Sequence, residues 1–473
     1  MKNKKNIYLK ITLLLGFIFI VSSSCERETS DDVEFATFPK NAEVFIDGFS
    51  GGLDYFPFAG SKLNAFSVDN EVKYKGEASM RLDVPNFGDP EGSYAGAIFP
   101  DAAGRDLSDY DALTFWAKAS QAGTINEIGF GNDFGENKYL VTKANLRIST
   151  FWTKYIIPLP DPYKLTLEKG MFWYAEGPEN NDGYSFWIDE LKYEKLGTIA
   201  QPRPAMLDGV DVIQKSFVGT NILLDGLTQT FNLESGINET VSAAPSYFTF
   251  SSTNVDVARV SELGVVSIVG AGNAKITAQL GGVKAAGSLS VETLGEFTFA
   301  PTPTLDPSEV ISIFSDAYVN VPVDFYNGFY APFQTTTSND FEINGDNILS
   351  YENYNFVGIE FNKNVPTIDA TEMTVLHMDI FIPNDFDASS SIKINLRDFG
   401  ADKSFEGGDD SIVSTLITTN STPSLISGEW FSVELDITGL ANRNNLGQIV
   451  FDALDSFSPR PSGFYVDNIY LRK

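Results

Sequence analysis

The sequence predicts an all-β protein built from several β-sandwiches. Its 473 residues include 39 Gly, 38 Phe and 19 Tyr, a composition typical of many short strands joined by glycine-containing turns. Apolar and polar residues alternate with a period of two in segments such as 374–382 and 430–437. No window longer than about two turns carries an apolar period of 3.6 residues, so we expect helix to be scarce.

Two proline-containing segments, 197–204 and 300–307, divide the chain. A chain of this length exceeds what one hydrophobic core supports. The breaks define three blocks, 41–197, 205–295 and 305–473, and each has the size of a single domain.

The first and third blocks begin and end with similar patterns. Residues 186–193 and 464–471 both read aromatic, aromatic, aliphatic, Asp, polar, aliphatic. Both blocks also begin with an apolar run that leads to an aspartate, Asp47 in one and Asp316 in the other. These shared patterns predict one architecture used twice, in which two antiparallel sheets pack face to face and the first and last strands are adjacent.

The middle block is small, rich in Val and Ser, and poor in aromatic residues. Residues 251–260 read S-x-x-N-x-x-V-A-x-V in outline, and 264–278 contain G-V-V followed by G-N-A-K-I-T-A. This block resembles the group 2 bacterial immunoglobulin-like domain, which implies an Ig-like β-sandwich that serves as a rigid spacer. The full prediction is two jelly-roll β-sandwiches separated by an Ig-like β-sandwich.

The N-terminal residues resemble a lipoprotein export signal. Residues 1–24 combine four lysines, a short apolar run and small residues before Cys25, the one cysteine of the chain. The resemblance implies cleavage before Cys25, acylation of its thiol, and a protein anchored in the outer membrane and facing the cell exterior. Residues 25–40 form an acidic tether. A plain signal peptide with a chance cysteine, and an ordinary linker in place of an export signal, remain the alternatives.

The formal net charge of −30 limits the possible ligands. Such a surface repels nucleic-acid phosphates and disfavours polyanionic glycans, whereas neutral sugars are indifferent to it. The acidic residues also suit cation sites with oxygen ligands.

A catalytic set is hard to find in the sequence. His377 is the single histidine and has no Ser or Cys partner nearby, so histidine-based triads and zinc sites are not expected. A glycosidase needs only two carboxylates. The nearest approach to the E-x-D-x-x-E pattern of family 16 glycoside hydrolases starts at Glu434 and lacks the final Glu. We therefore predict a binding protein, with a family 16-type glycoside hydrolase and a structural adhesin as alternatives.

Sugar binding requires aromatic platforms beside polar side chains. In the first block these residue types occur together in three glycine-rich segments, and the predicted ligand-binding residues are Tyr94, Asp133, Trp173 and Tyr174. The alternative for Trp173 and Tyr174 is that they plug the end of the sandwich. Trp116, Trp152 and Trp187 lie within strand patterns, so we expect them to pack in the core.

In the third block, five aromatic residues occur within ten positions, 324–333, beside a predicted loop. An exposed patch of this kind indicates a binding surface, whereas a buried one would be a small loop core. His377 and Asp379 share one face of their strand and could line a neighbouring groove. The predicted ligand-binding residues here are Phe325, Tyr326, Phe329, Tyr330, His377 and Asp379.

Several segments of the third block, among them 311–318, 358–361, 368–374 and 465–470, carry a family resemblance. The block resembles an accessory domain of secreted family 16 laminarinases and the surface glycan-binding lipoproteins of polysaccharide-utilisation loci. The first block resembles the jelly-roll carbohydrate-binding modules that accompany them. The resemblance implies capture of a β-glucan such as laminarin for a neighbouring importer. Phe and Tyr stand here where related domains carry tryptophans, which leaves the identity of the glycan open.

The resemblance to jelly-roll modules also implies a structural calcium ion between the first and last strands. The corresponding ligands are Asp47 and Asp189 in the first block and Asp316 and Asp467 in the third. Ca²⁺ takes 6–8 oxygen ligands, and adjacent strands bring carboxylates and carbonyls together. The alternative is that each aspartate caps a turn.

Overall fold

The computed structural model describes residues 38–454 and 458–473. The signal segment 1–24, the acylation site Cys25 and most of the tether lie outside these residues and stay predictions. Within the described part of the chain, no helix combines the length and apolar character that a membrane crossing requires.

The all-β prediction is confirmed. The described residues form β-strands and four single-turn 3-10 helices, and they contain no α-helix. The 3-10 helices are Pro162–Lys164, Leu207–Gly209, Pro245–Tyr247 and Pro307–Glu309.

The N-terminal sandwich contains eleven strands. They are β1 Glu43–Phe45, β2 Phe56–Pro57, β3 Phe66–Asp69, β4 Ser79–Asp83, β5 Ala95–Arg105, β6 Ala112–Ala119, β7 Gly123–Phe130, β8 Val141–Ile148, β9 Thr153–Pro158, β10 Glu168–Glu176 and β11 Ser185–Glu194. Sheet A has the order β3-β4-β11-β6-β9, with β1 also paired to β11, and sheet B contains β2-β5-β10-β7-β8. The two sheets bury a core rich in aromatic residues, such as Phe115, Phe172 and Phe186.

The middle block contains the next eleven strands. They are β12 Ala200–Ala205, β13 Asp211–Val218, β14 Asn221–Leu223, β15 Thr228–Asn232, β16 Asn238–Ala243, β17 Thr249–Ser252, β18 Ala258–Val260, β19 Val265–Ile268, β20 Asn273–Leu280, β21 Val283–Lys284 and β22 Ser288–Glu296. Sheet C has the order β13-β22-β20-β17 with β21 on β20, and sheet D has the order β14-β19-β18. The Ig-like assignment of this block stays a prediction.

The boundary between the first two blocks differs from the sequence prediction. Part of the break predicted at 197–204 is strand β12, which pairs with β15. Strand β16 in turn pairs with β8. Sheet B therefore continues into the middle block as one eight-stranded sheet. The prolines Pro202 and Pro204 are tolerated because β12 is an edge strand, where a missing N–H breaks no inner ladder.

The C-terminal sandwich contains the remaining strands. They are β23 Val310–Phe314, β24 Thr337–Ser338, β25 Phe341–Ile343, β26 Asp346–Glu352, β27 Phe356–Glu360, β28 Val375–Phe381, β29 Ser391–Asp398, β30 Ser411–Thr418, β31 Trp430–Asp436, β32 Leu446–Asp452 and β33 Gly463–Arg472. Sheet E has the order β24-β26-β33-β28-β31, with β23 on β33 and β25 on β26. Sheet F has the order β27-β32-β29-β30.

The predicted adjacency of first and last strands is confirmed in both outer sandwiches. In the N-terminal sandwich β1 pairs antiparallel with β11, and in the C-terminal sandwich β23 pairs antiparallel with β33. Repeated sequence patterns at the ends of the two blocks therefore correspond to equivalent strand positions.

Part of the outer face of sheet E, around Phe381, Trp430 and Tyr465, is covered by the middle block and the segment that follows it. Phe297, just after β22, is 7% exposed and lies 4.9 Å from Phe217 and 5.6 Å from Phe341, measured between ring centroids. Trp430 donates its indole N–H to the carbonyl of Thr298. The N-terminal part of the 300–307 segment continues over the sheet, where Asn468 Nδ2 donates to the Pro301 carbonyl at 3.1 Å.

Candidate functional site

The outer side of sheet A carries three tryptophans that the sequence predicts in the core. On β6, Phe115 and Ala117 point into the sandwich, so Trp116 between them points outward. The same alternation on β11 turns Trp187 outward between two core residues. Trp152 precedes β9 and is also partly exposed. The prediction of core packing is wrong for Trp116 and Trp152, which are partly exposed. Trp187 is 8% exposed and therefore buried as predicted, although among polar neighbours on the outer side of the sheet.

A loop residue extends this aromatic surface. Tyr74, in the loop between β3 and β4, stacks on Trp116 with a centroid separation of 3.9 Å and an interplanar angle of 11°. Its ring lies 6.0 Å from that of Trp152, and 40% of Tyr74 is exposed. Tyr74, Trp116, Trp152 and Trp187 are named here the tryptophan face.

Asp189 holds the loop that presents Tyr74. Its Oδ2 accepts hydrogen bonds from the backbone N–H groups of Tyr74 at 2.7 Å and Lys75 at 3.0 Å. Asp189 is 1% exposed, so water competes little for these bonds. This carboxylate is a positioning residue for the tryptophan face.

Polar side chains surround Trp187. Its indole N–H donates to Asp69 Oδ2 at 2.9 Å, and Arg81 and Lys118 each place their charge 5.7 Å from the ring centroid. Burial alone would raise the pKa of Asp69, but hydrogen bonds from the Val72 backbone and the Trp187 indole outweigh burial and lower it. The face thus combines ring surface with hydrogen-bonding groups of both charges.

The predicted platform at Trp173 and Tyr174 is wrong. Both residues lie within strand β10 rather than in a loop, because β10 pairs on both sides with β5 and β7. Tyr174 is 0% exposed in the core. Trp173 is 5% exposed and donates its indole N–H to the Val141 carbonyl at 3.2 Å, while Phe58 lies 6.4 Å away and covers it.

Tyr94 and Asp133 have local structural roles. The Tyr94 hydroxyl donates to the Ala59 carbonyl at 3.0 Å, and burial raises its pKa. Asp133 accepts a hydrogen bond from the Gly135 N–H at 2.9 Å within a turn. Beside this turn, exposed Phe134 meets Phe56 edge to face at 5.1 Å. These predicted residues do not join the tryptophan face, which belongs to the other sheet.

In the C-terminal sandwich, part of the predicted aromatic cluster lies on the outer face of sheet F. Tyr330 stacks on Phe356 of β27 with a centroid separation of 5.9 Å. Its hydroxyl donates to Glu360 and accepts a hydrogen bond from Gln448 Nε2 at 3.0 Å. Phe325 is 40% exposed beside the same strand, with Lys363 Nζ 4.9 Å from its ring centroid.

The other two aromatics of this cluster differ. Phe329 is exposed. Tyr326 is half-buried: its hydroxyl donates to the Ile313 carbonyl at 2.8 Å and its ring meets Phe314 edge to face at 5.3 Å. Tyr326 therefore fixes the loop against the sandwich, as the loop-core alternative predicts for it.

His377 and Asp379 do not share a groove with these aromatics, and that part of the prediction is wrong. Both lie on the outer side of β28 in sheet E, the opposite sheet of the sandwich. His377 is 8% and Asp379 1% exposed. His377 Nδ1 lies 2.7 Å from Glu434 Oε1, and the imidazole stacks on Tyr470 at 4.4 Å.

Charged neighbours set the titration of His377. Burial would lower its pKa, but hydrogen bonds with Asp379 and Glu434 outweigh burial and raise it. Asp379 also accepts hydrogen bonds from the Ser432 hydroxyl at 2.6 Å and Asn468 Nδ2 at 2.9 Å. This is an internal network, with the imidazole as one of its members.

The N-terminal pair of predicted calcium ligands accepts hydrogen bonds from backbone N–H groups. Asp47 Oδ1 accepts from Glu77 and Ala78, and both oxygens of Asp189 accept from backbone N–H groups. Hydrogen bonds from these backbone groups lower the pKa of Asp47. Carboxylates turned towards N–H donors anchor the 70–78 loop, as the turn-capping alternative predicts.

The C-terminal pair has a different environment. Asp316 accepts hydrogen bonds from Asn347 N at 2.6 Å and Nδ2 at 2.9 Å. Burial, together with neighbouring carboxylates, raises the pKa of Asp346 to about 6 and that of Asp467 to about 7. Within residues 38–454 and 458–473, no group of three or more His, Cys, Asp or Glu side chains is arranged to hold a metal. Calcium at Asp316 and Asp467 stays a prediction.

Comparison with known proteins identifies the N-terminal sandwich. Residues 44–195 match the family model described as Carbohydrate binding domain 30, which covers about a third of the chain. No match was found among the curated proteins.

Solved structures of carbohydrate-binding modules are also similar to parts of this chain. A family 30 module of a cellulosomal cellulase of Clostridium thermocellum has 18% identity over 35% of this chain and 97% of its own, with a TM-score of 0.25. A family 11 module from the same organism was solved with a β-1,3-1,4-mixed-linked tetrasaccharide. It has 15% identity over 35% of this chain and 95% of its own, with a TM-score of 0.24. A tandem of two family 22 modules from Paenibacillus barcinonensis has 11% identity over 93% of this chain and 99% of its own, with a TM-score of 0.23.

The family match and the β1–β11 sandwich coincide almost residue for residue. The matched family is one of binding domains rather than catalytic ones. Residues 44–195 therefore form a β-sandwich similar to carbohydrate-binding modules, in a segment that matches the model of Carbohydrate binding domain 30.

Proposed function

We propose that this protein captures a polysaccharide at the cell surface and that the tryptophan face of sheet A is the surface that holds it. One observation carries the proposal. The domain matched to a carbohydrate-binding family presents Tyr74, 40% exposed, stacked on Trp116 and next to Trp152 on the outer side of sheet A.

The chemistry of the face suits a sugar. Pyranose rings offer C–H faces that rest on aromatic rings, and their hydroxyls accept or donate hydrogen bonds. Arg81, Lys118 and Asp83 lie around Trp187 on neighbouring strands and supply donors and acceptors. An open sheet face, unlike a closed pocket, leaves room for a chain that continues in both directions.

The proposed ligand is a neutral β-glucan such as laminarin. The net charge of −30 disfavours anionic polymers, and neutral chains escape this repulsion. The resemblance of the third block to laminarinase accessory domains supports the same choice.

The proposed location is the outer face of the outer membrane. Its support is the lipoprotein-like segment that ends at Cys25 and the acidic tether after it. A protein held there would deliver captured glycan to a neighbouring importer. Replacement of Cys25 by Ser tests the anchor: we expect the variant to leave the membrane fraction, and retention in that fraction would contradict the anchor.

Isothermal titration of the full chain with laminarin and with mixed-linkage β-glucan tests the binding face. We expect binding that Trp116→Ala or Tyr74→Ala weakens at least tenfold, because each substitution removes one ring of the stacked pair. Tyr163→Ala is the matched control, since Tyr163 is 84% exposed in the 3-10 helix that follows β9, whereas Trp152 precedes that strand. No binding to any neutral glycan, or equal loss in the control, would overturn the proposal. Release of reducing ends would favour the hydrolase alternative.

A further inference from the structure

The outer face of sheet F carries a row of polar side chains on three adjacent strands. Glu360 on β27 is paired with Gln448 on β32, and Gln448 is paired with Arg397 on β29. The residue next to each of them in sequence, Ile359, Ile449 or Leu396, points into the core. The row therefore faces away from the sandwich.

Hydrogen bonds and ring contacts hold the members of the row. Gln448 Nε2 donates to Glu360 Oε1 at 3.2 Å as well as to Tyr330. Arg397 Nη1 donates to Asp410 Oδ2 at 3.0 Å. A site whose groups are already oriented loses less conformational entropy when a ligand binds.

Aromatic rings lie over and beside the row. Tyr330 covers Gly358, where an added Cβ would stand 2.6 Å from the Tyr330 hydroxyl oxygen, so glycine is required for this close approach. Phe325 is 40% exposed at the β27 end. At the other end Phe405 is 50% exposed, and the Arg397 guanidinium lies 4.5 Å from its ring centroid.

The charges on this face are balanced. Lys363 pairs with Glu360 at 3.0 Å, and Arg397 pairs with Asp410 at 3.0 Å. Asn395, one row further along β29, is half-buried and forms no hydrogen bond through its carboxamide with another described group. A face with matched charges and the unbonded carboxamide of Asn395 suits a neutral, hydroxyl-rich ligand better than an ion.

The middle block lies on the other side of the C-terminal sandwich from this face. The middle block and the 297–301 segment contact sheet E, on the other side of the sandwich. Four strands at ~4.8 Å spacing make sheet F about 14 Å wide, which is long enough for a short oligosaccharide.

We propose that the outer face of sheet F is a second carbohydrate-binding site, one that takes a neutral β-linked glucan chain independently of the tryptophan face. Tyr330 and Phe325 supply ring surface, and Asn395 and Arg397 supply hydrogen bonds to hydroxyls. Gln448, which is 8% exposed, holds Tyr330 through its hydrogen bond to the ring hydroxyl. This inference rests on the proposed function for the kind of ligand, but on separate residues for the site. Two sites on one chain raise the residence time on a polymer through effective concentration.

Titration of the full chain with the β-1,3-linked hexasaccharide of laminarin tests this site by its stoichiometry. We expect two molecules bound per chain. Asn395→Ala and Arg397→Ala should each weaken one of the two sites at least tenfold, and Trp116→Ala should weaken the other. Asn420→Ala is the matched control, because Asn420 is an exposed asparagine in the turn after β30. Thermal unfolding of each variant establishes that it is folded.

The outcomes separate the two proposals. One molecule per chain, lost in Trp116→Ala and unchanged in Asn395→Ala and Arg397→Ala, would overturn the second site and leave the tryptophan face. One molecule per chain, lost only in the sheet F variants, would support the second site and overturn the first. No binding by the wild type, or wild-type affinity and stoichiometry in every sheet F variant, would overturn the inference.

Discussion

The two outer sandwiches share an architecture but expose opposite sheets. In each, the first strand pairs with the last, and the last strand carries the same aromatic-aromatic-aliphatic-Asp pattern. In the N-terminal sandwich the outer side of that sheet carries the tryptophan face, with Tyr74 40% exposed. In the C-terminal sandwich part of the equivalent side lies under the middle block, and exposed rings such as Phe325 lie beside sheet F instead.

Equivalent positions therefore have different roles. Trp187 and Tyr465 occupy the same place in the pattern. Trp187, which is 8% exposed, lies on the outer side of sheet A with Arg81 and Lys118 close to its ring. Tyr465 packs against Phe217 and Phe341 at the contact with the middle block. A shared strand pattern thus identifies the fold, whereas the neighbouring block decides which face can bind.

The largest expected effect concerns the covered face. Phe297→Ala should destabilise the chain by about 3 kcal/mol, because it removes a buried ring from the contact between the middle and C-terminal blocks. Chemical denaturation measures the change. Phe299→Ala is the control, since Phe299 is 42% exposed next to Phe297. Similar destabilisation by the two substitutions would show that sheet E does not depend on this contact.

The second prediction uses the aspartate that follows Tyr465 in the pattern. The pKa of Asp467 is raised to about 7, so the folded state binds more protons than the unfolded state between about pH 4 and 7. The stability contributed by protonated Asp467 is present below this window and is lost as pH rises through it. Asp467→Asn should stabilise the protein by about 2 kcal/mol at pH 8 and change little at pH 4.

Thermal unfolding at the two pH values checks this prediction. Glu168 and Glu176, whose pKa values are also raised to about 7 by burial, remain in the variant, so the comparison is made at each pH between variant and wild type. Equal stability of the two proteins at pH 8 would contradict the account. The addition of Ca²⁺ tests the calcium prediction. A rise in the stability of the wild type but not of the variant would support it, and no rise in either protein would contradict it.

The equivalent aspartate of the N-terminal sandwich should behave in the opposite way. Asp189→Asn should destabilise the chain by about 1–2 kcal/mol, because one carboxylate oxygen that accepts two backbone N–H bonds is replaced. It should also weaken β-glucan binding several-fold, since the loop that carries Tyr74 loses its anchor. Calorimetric titration and thermal unfolding measure the two effects, and a variant with unchanged affinity would show that the loop needs no such anchor.

An effect on stability of similar size is expected at Gly358. Gly358→Ala should cost about 1–2 kcal/mol, because its Cβ would displace Tyr330 from the sheet. The same change should reduce binding at sheet F alone and leave the tryptophan face intact. The control is Gly439→Ala, whose added Cβ meets only the Val413 side chain, at 3.3 Å. Gly345→Ala would not serve as a control, because Gly345 has a φ of 88°. Equal effects of Gly358→Ala and Gly439→Ala would contradict the proposed fit of Tyr330.

The fold could be predicted from the sequence because alternation and repeated terminal patterns are local signals. The site was harder. Trp116 and Trp187 stand in alternating strands, and alternation alone does not say which face is the core unless neighbours such as Phe115 and Phe186 are used to decide. Tyr74 joins Trp116 through a loop held by Asp189, 115 positions away. The burial of Trp173 and His377 depends on long-range packing that no local pattern encodes.

The sequence also failed to separate linkers from strands. Residues 200–205 carry two prolines and read as a break, yet they pair at the edge of a sheet that spans two blocks. Edge strands tolerate proline because only one side of an edge strand is hydrogen-bonded to a neighbouring strand. Composition therefore gave the number of blocks but not the way in which they join.

The central claim is that aromatic rings on sheet A form the surface on which a glucan rests. A crystal structure of the full chain with a mixed-linkage β-glucan hexasaccharide tests it most directly. The account predicts pyranose rings stacked on Tyr74 and Trp152, with hydroxyls near Arg81 and Lys118. Sugar density elsewhere on the N-terminal sandwich, for instance over Phe56 and Phe134 of sheet B, with the tryptophan face empty, would contradict it.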